Sequence, residues 1–239
     1  MVKILSIAVV GDVIRLNYRT EKDELLSFSS TNNSLRLAEK TLGGLLSELK
    51  ECLKKKDIAF QPDMIRCLSG PGSYTGLRMV MCFAKGLATA LQIPLIPTST
   101  FEVARHRLVR ELSQPKTIRF GQSIGKDRWI VEELSIHQPS EVSNWEIRGE
   151  QDALELLNVS EYGVIIQPLS LQTADQKKTY PICFAEELSV ANLSGPVEGL
   201  STYDPEVISR LEPDYGLKFS ALTLQEQKKT KTRQISERR

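Results

Sequence analysis

Histidine is nearly missing from this chain. Its 239 residues include two, His106 and His137, 31 positions apart, with no HExxH or HxxxH pair. A catalytic zinc needs at least three close protein ligands, so a metallopeptidase is rejected. Cysteine is also sparse. Cys52, Cys67, Cys82 and Cys183 form no CxxC pair, and three lie in apolar runs. They read as buried, reduced thiols of a cytosolic protein, not as a disulfide frame or zinc ribbon. No apolar run approaches the ~20 residues that span a membrane, and no GxxxxGKS/T phosphate loop is present. Net charge is only +1, so the chain as a whole is not a polycation for nucleic acid. The apolar opening Met1 to Val10 breaks at Gly11-Asp12 into an alternating run, which reads as strand and turn, not as a signal peptide.

What is present is an ordinary globular mixture, 41% hydrophobic and 26% charged, long enough for one large domain or two ordinary ones. The charge is unevenly placed. Glu226 to Arg239 holds six basic and two acidic residues. This stretch lacks periodicity, so Gln225 to Arg239 is expected to be a disordered basic tail. It reads either as a solvated tail or as a weak contact for RNA phosphates.

Ile4 to Val10 and Val13 to Tyr18 read as a hairpin, with Leu25 to Ser29 as a third strand. Ser34 to Lys56 reads as a helix. Leu35, Ala38, Leu42, Leu45, Leu49 and Cys52 recur at steps of three and four, and Gly43-Gly44 interrupts the run. Met64 to Leu68 reads as a buried strand, Gly76 to Gln92 as a helix, Pro94 to Thr98 as a strand, and Ser99 as the cap of a helix to about Ser113. Thr117 to Gln122 pairs with Trp129 to Leu134. Asp152 to Leu157 reads as a short helix and Val164 to Gln167 as a strand. Phe184 to Asn192, Asp204 to Leu211 and Phe219 to Leu224 are helical or mixed. The pattern is α/β: mixed sheets with packed helices, divided into subdomains 1–114 and 115–224, followed by the tail 225–239.

The most informative segment is Ser69-Gly70-Pro71-Gly72-Ser73-Tyr74-Thr75-Gly76-Leu77-Arg78, followed by Lys85-Gly86-Leu87-Ala88. A strand ends in a glycine turn and enters a helix. Gly70 and Gly72 permit backbone angles and approaches closed to other residues. Ser73 or Thr75 can cap the helix. The turn is either a tight connection or an anion cradle formed by free amides. Arg78 lies in the first turn, where a cation opposes the helix dipole. It calls for a specific partner such as a carboxylate or phosphate, and is expected to hold the helix start and glycine turn together without touching substrate.

This string resembles the signature of the TsaB/YeaZ family, and the resemblance covers roughly residues 1 to 105. Farther on, Gln122 to Trp129 is similar to a family strand pair, and Glu212-Pro213-Asp214-Tyr215 to a C-terminal Pro-Tyr segment. The resemblance implies the fold shared by actin, sugar kinases and the Hsp70 ATPase. It also implies the partners TsaD and TsaE, which with this subunit place threonylcarbamoyl on adenosine 37 of tRNAs reading ANN codons. No cofactor is assigned to the chain itself; ATP would be handled by the complex. Some residues depart from the pattern. The family's Ile-Asp-Thr-Ser strand end is Ile7-Ala8-Val9-Val10 here, the histidine that opens its first helix is replaced by Asn32-Asn33-Ser34, and its Asp-Ala-Arg is Gln122-Ser123-Ile124. The losses point to a scaffold with no catalytic residue and no metal.

Two other functions stay open: an ATP-dependent carbamoyl or phosphoryl transferase, and a general interaction module. Against the first, β-strand neighbours Glu132 and Glu133 point to opposite faces and cannot form an acid/base pair. For a partner surface, Leu35, Leu42, Leu45 and Leu49 on the first helix and Val80, Ala84, Leu87 and Ala88 on the second are expected to form a shared apolar face. The second helix is apolar over about twice the arc of roughly 100° that one buried face requires. The same face would serve a homodimer or TsaD.

Overall fold

The structure, a computed structural model, describes residues 2–10, 13–31, 38–104, 117–125, 127–135, 145–159, 163–167, 179–181 and 202–215. Three antiparallel strands open the chain: β1 (Ile4–Val10), β2 (Val13–Arg19) and β3 (Leu25–Thr31). Helix α1 (Ala38–Lys55) follows, then β4 (Met64–Gly70), α2 (Tyr74–Leu91) and β5 (Leu95–Ser99). β4 lies parallel to both β1 and β5, giving the order β3-β2-β1-β4-β5. A helix starts at residue 100, its first turn tied by Phe101 N–H donating to Ser99 Oγ at 3.2 Å.

The second half repeats this plan. Strands β6 (Thr117–Gly125), β7 (Arg128–Ser135) and β8 (Trp145–Gly149) are antiparallel. Helix α3 (Glu150–Asn158) leads to β9 (Gly163–Gln167) and β10 (Thr179–Pro181), parallel to β6 and to β9 respectively. The order β8-β7-β6-β9-β10 is the first sheet's order repeated. Two such sheets, each three antiparallel strands extended by two parallel ones, form an actin-like ATPase fold. β8 and β10 are too short and mixed in composition for the sequence pattern to mark them. His106, His137, Leu35, the expected pieces 184–192 and 219–224, and the tail lie outside the described residues.

Registers explain which face of the first sheet is core. Ile7 pairs with Leu16 and with Cys67, Leu5 with Tyr18 and with Ile65, and Val9 with Ile14. Alternation places these side chains on one face, and α1 and α2 cover it. Leu42, Leu45, Leu49 and Leu53 of α1 join Leu77, Val80, Met81, Ala84 and Ala88 of α2 in the same buried cluster. The expected partner face is therefore largely this chain's own core. Leu49, Val80, Ala84 and Ala88 are fully buried there, Leu42 and Leu45 nearly so, and Leu87 is half-buried against it. The sequence period marks a buried face but not what buries it, and here the sheet does.

Residues 202–215 also depart from expectation. Helix α4 (Pro205–Arg210), begun by Asp204 accepting from Glu206 and Val207 N–H, packs against α2 rather than within the second half. Ile208 is buried in the first core, with Tyr203, Leu211 and Tyr215 against it.

Candidate functional site

The glycine turn and the first turns of α2 bring most of the singled-out residues together. Gly70 has φ +120°, a conformation that L side chains avoid. A Cβ on it would stand 1.8 Å from Asp214 O. The backbone of the C-terminal strap 202–215 occupies that space, and Asp214 N–H donates to Ser69 O at 2.6 Å. Thr100 Oγ1 donates to Pro71 O at 2.9 Å, inside the protein. Gly72 lies under the Gln122 side chain, whose Nε2 would be 3.3 Å from a Cβ there. Ser73, not Thr75, is the cap: its hydroxyl accepts from Gly76 N–H at 3.5 Å and its carbonyl from Leu77 N–H at 2.9 Å. Gly76 packs closely on β1, where a Cβ would meet both Val9 methyls at 3.1 Å.

These contacts test the fit of a phosphate–metal centre. Between Ile4 and Val10, β1 carries Ser6 as its only hydroxyl and no carboxylate. Val9 packs apolar against Gly76, Asp214 backbone fills the open side of Gly70, and a neutral amide faces Gly72. The described residues do not fit a magnesium–phosphate centre, and no three His, Cys, Asp or Glu among them converge on a metal position. Glu132 is buried while Glu133 is exposed and pairs with Arg119 at 2.6 Å; alternation separates the two carboxylates.

Arg78 is exposed, and its Nη1 donates to Tyr74 Oη at 3.2 Å. The expected role as a clasp on the glycine turn is not what the structure shows, because the strap performs it. Tyr74 in turn lies 4.5 Å, ring centre to ring centre, from Tyr215 of the strap. Burial, with Tyr74 beside it, pushes the Tyr215 hydroxyl above its ordinary range. Lys85 Nζ donates to Ser209 O at 3.0 Å. The apolar arc of α2 left over from the sheet borders a groove of about 510 Å³, lined by Leu42, Thr75, Met79, Cys82 and Phe83 with Tyr74 and Arg78 at the rim. Sequence reasoning singled out Arg78 but missed Tyr74, Met79, Cys82 and Phe83. The signal for them was the excess width of the apolar arc.

Residues 39–117 match the family model "TsaD: tRNA N6-adenosine threonylcarbamoyltransferase". That stretch contains α1 but for its first residue, the glycine turn and α2. No curated protein matches the chain. Among solved structures, an uncharacterized protein with similarity to peptidase YEAZ from Pseudomonas aeruginosa shares 18% identity, with a TM-score of 0.62 over 90% of this chain and 99% of that one. YeaZ from Pseudomonas aeruginosa shares 20% identity, with a TM-score of 0.48 over 62% of this chain and 68% of that one. The ethanolamine utilization protein EutJ from Carboxydothermus hydrogenoformans shares 8%, with a TM-score of 0.48 over 80% and 89%. The glycine signature lies within the stretch that matches the TsaD family model, and the chain shares the fold of the YeaZ-like protein.

Proposed function

We propose that this chain is a non-catalytic partner subunit in the synthesis of threonylcarbamoyladenosine at position 37 of tRNAs reading ANN codons, and that it acts by binding and activating a TsaD-type transferase. The observation carrying this reading is the family match over residues 39–117, combined with a β1 end that supplies no phosphate or metal chemistry. In this reading the complex, with TsaE, handles ATP in the cytoplasm, and tRNA meets this chain indirectly or weakly through its basic tail.

The groove between α1 and α2 is the proposed contact for TsaD, or for a second copy of the chain in competition with it. Nearby on α1, Gly43 and Gly44 have no atom within 4 Å of where a Cβ would stand. Internal packing does not require glycine there, and each costs a helix about 1 kcal/mol relative to alanine. A closely approaching second chain would account for both. Sedimentation of the chain with and without a TsaD-type transferase tests the reading. It predicts a specific complex and no steady ATP hydrolysis by the pure chain. Turnover by the chain alone that a substitution between Gly70 and Arg78 abolishes would overturn it.

A further inference from the structure

An outer strand offers backbone groups to another chain unless charge, proline or shortness blunts it. Among the described strands, β3, β5, β8 and β10 are outermost. β5 contains Pro97, β10 is three residues long and ends in Pro181, and β8 carries the mutually paired charges Glu146 and Arg148. β3 has none of these devices. It is seven residues long, Leu25-Leu26-Ser27-Phe28-Ser29-Ser30-Thr31, with no charge and no proline.

The β2–β3 turn fixes which way this edge points. Thr20 N–H donates to Glu24 O at 2.9 Å, and the register then runs unbroken from Arg19 opposite Leu25 to Val13 opposite Thr31. Antiparallel residues alternate between pairs that exchange backbone bonds and pairs that do not. Glu24, Leu26 and Phe28 therefore bond toward β2, while Leu25, Ser29 and Thr31 turn their N–H and C=O away from it. Side chains alternate as well. Leu26 and Phe28 lie on the α1 side and are only half-buried; Ser27 and Ser29 stand exposed on the other face.

A strand that fits this edge has to be as neutral and as long, and among the described edges only β3 itself is both. We propose that β3 pairs antiparallel with β3 of a second copy, about a two-fold axis through Phe28, joining the two five-stranded sheets into one. With all seven residues overlapped, Phe28 meets its own copy on the axis, Ser27 lies opposite Ser29 of the second copy, and Leu25 opposite Thr31. Phe28 falls in a pair without backbone bonds, where side chains approach most closely, so the two half-buried rings cover each other. α1 lies over β2 and β3, and α2 over β1, β4 and β5. The second copy thus sits away from α2, and the inference does not rest on the partner-subunit reading. One strand pair is smaller than a standard interface of about 1,200–2,000 Å², so the dimer is weak, with a Kd on the order of 10 µM.

Sedimentation equilibrium of the full chain from about 1 to 200 µM tests this, with each variant's melting temperature as the check on folding. Wild type should pass from monomer to dimer. Ser29→Pro removes an N–H that points away from β2, which an edge strand tolerates, and should weaken dimerisation at least about tenfold in a folded protein. Ser27→Lys combined with Ser29→Lys sets like charges opposite each other and should do the same. Ser27→Lys combined with Ser29→Asp sets opposite charges together and should restore dimerisation to within about fivefold of wild type. Should Ser29→Pro fail to fold, the two charge pairs carry the test. Wild type that stays monomeric throughout, or that forms open-ended aggregates instead of a dimer, overturns the inference. So does a folded Ser29→Pro or double-lysine variant that dimerises as wild type does, since the second copy then sits elsewhere. If the chain alone is monomeric and Ser29→Pro instead abolishes binding to an added TsaD-type transferase, the edge serves that partner and the inference fails.

Discussion

Gly70 and Gly76 are glycines for different reasons, and substitution separates them. At Gly70 both the backbone angle and the Asp214 carbonyl oppose a side chain. Gly70→Ala should cost about 2 kcal/mol in strain alone, lowering Tm by about 5 °C in thermal unfolding, and should loosen the strap. At Gly76 the obstacle is Val9 alone. Gly76→Ala should cost about 1 kcal/mol, and combining it with Val9→Ala should recover at least about 0.5 kcal/mol relative to the sum of the single changes, measured by chemical denaturation. Cys67 supplies a pH test. Burial pushes its thiol from the ordinary 9.0 up to about 12. The unfolded chain therefore releases this proton first, and between those values the native state holds more protons. The stability is fully present below pH 9 and falls as pH rises, by up to about 1.4 kcal/mol per unit. Denaturation at pH 8 and pH 11 should show the decline, and Cys67→Ala should flatten it. At neutral pH a thiol reagent should label exposed Cys82 and spare Cys67 until the protein unfolds.

At the scale of elements, the two helices show what periodicity can and cannot report. The steps of three and four located α1 and its buried leucines, and the wide apolar arc of α2 announced two contacts. Which contact was the sheet depended on strand register, a long-range property with no local mark. Leu42, Leu49, Val80, Ala84 and Ala88 were thus legible as buried but not as internal. The consequence is testable. Ala84→Arg forces a charged chain into the core and should cost at least about 4 kcal/mol, seen as loss of cooperative unfolding rather than as loss of association with the fold intact. The turn between β4 and α2 was legible as an outline, because glycine, proline and serine carry strong local preferences. That Gly70 makes room for a carbonyl 144 residues away in sequence was not.

For the whole molecule, the two sheets repeat one strand order. Packing at the junction is supplied by Val9 on Gly76, Gln122 over Gly72 and the strap on Gly70. The strap was visible in the sequence as Glu212-Pro213-Asp214-Tyr215, but its destination was not, since docking distant segments leaves no periodic trace. A chain ended after Gln225, losing a stretch whose one apolar residue is Ile235, should keep its melting temperature within a degree or two. Ending it before Thr202 removes buried Ile208 and the Tyr215 contact, and should lower it by about 5 °C or more. The central claim is that this chain acts through a partner and does no chemistry itself. Its most direct test is reconstitution of threonylcarbamoyl transfer to tRNA with TsaD and TsaE, with and without this chain. The account predicts modification only when the chain is present, and modification preserved when Ser6, the only hydroxyl on β1, is replaced by alanine in a folded protein. Full modification without the chain would contradict it.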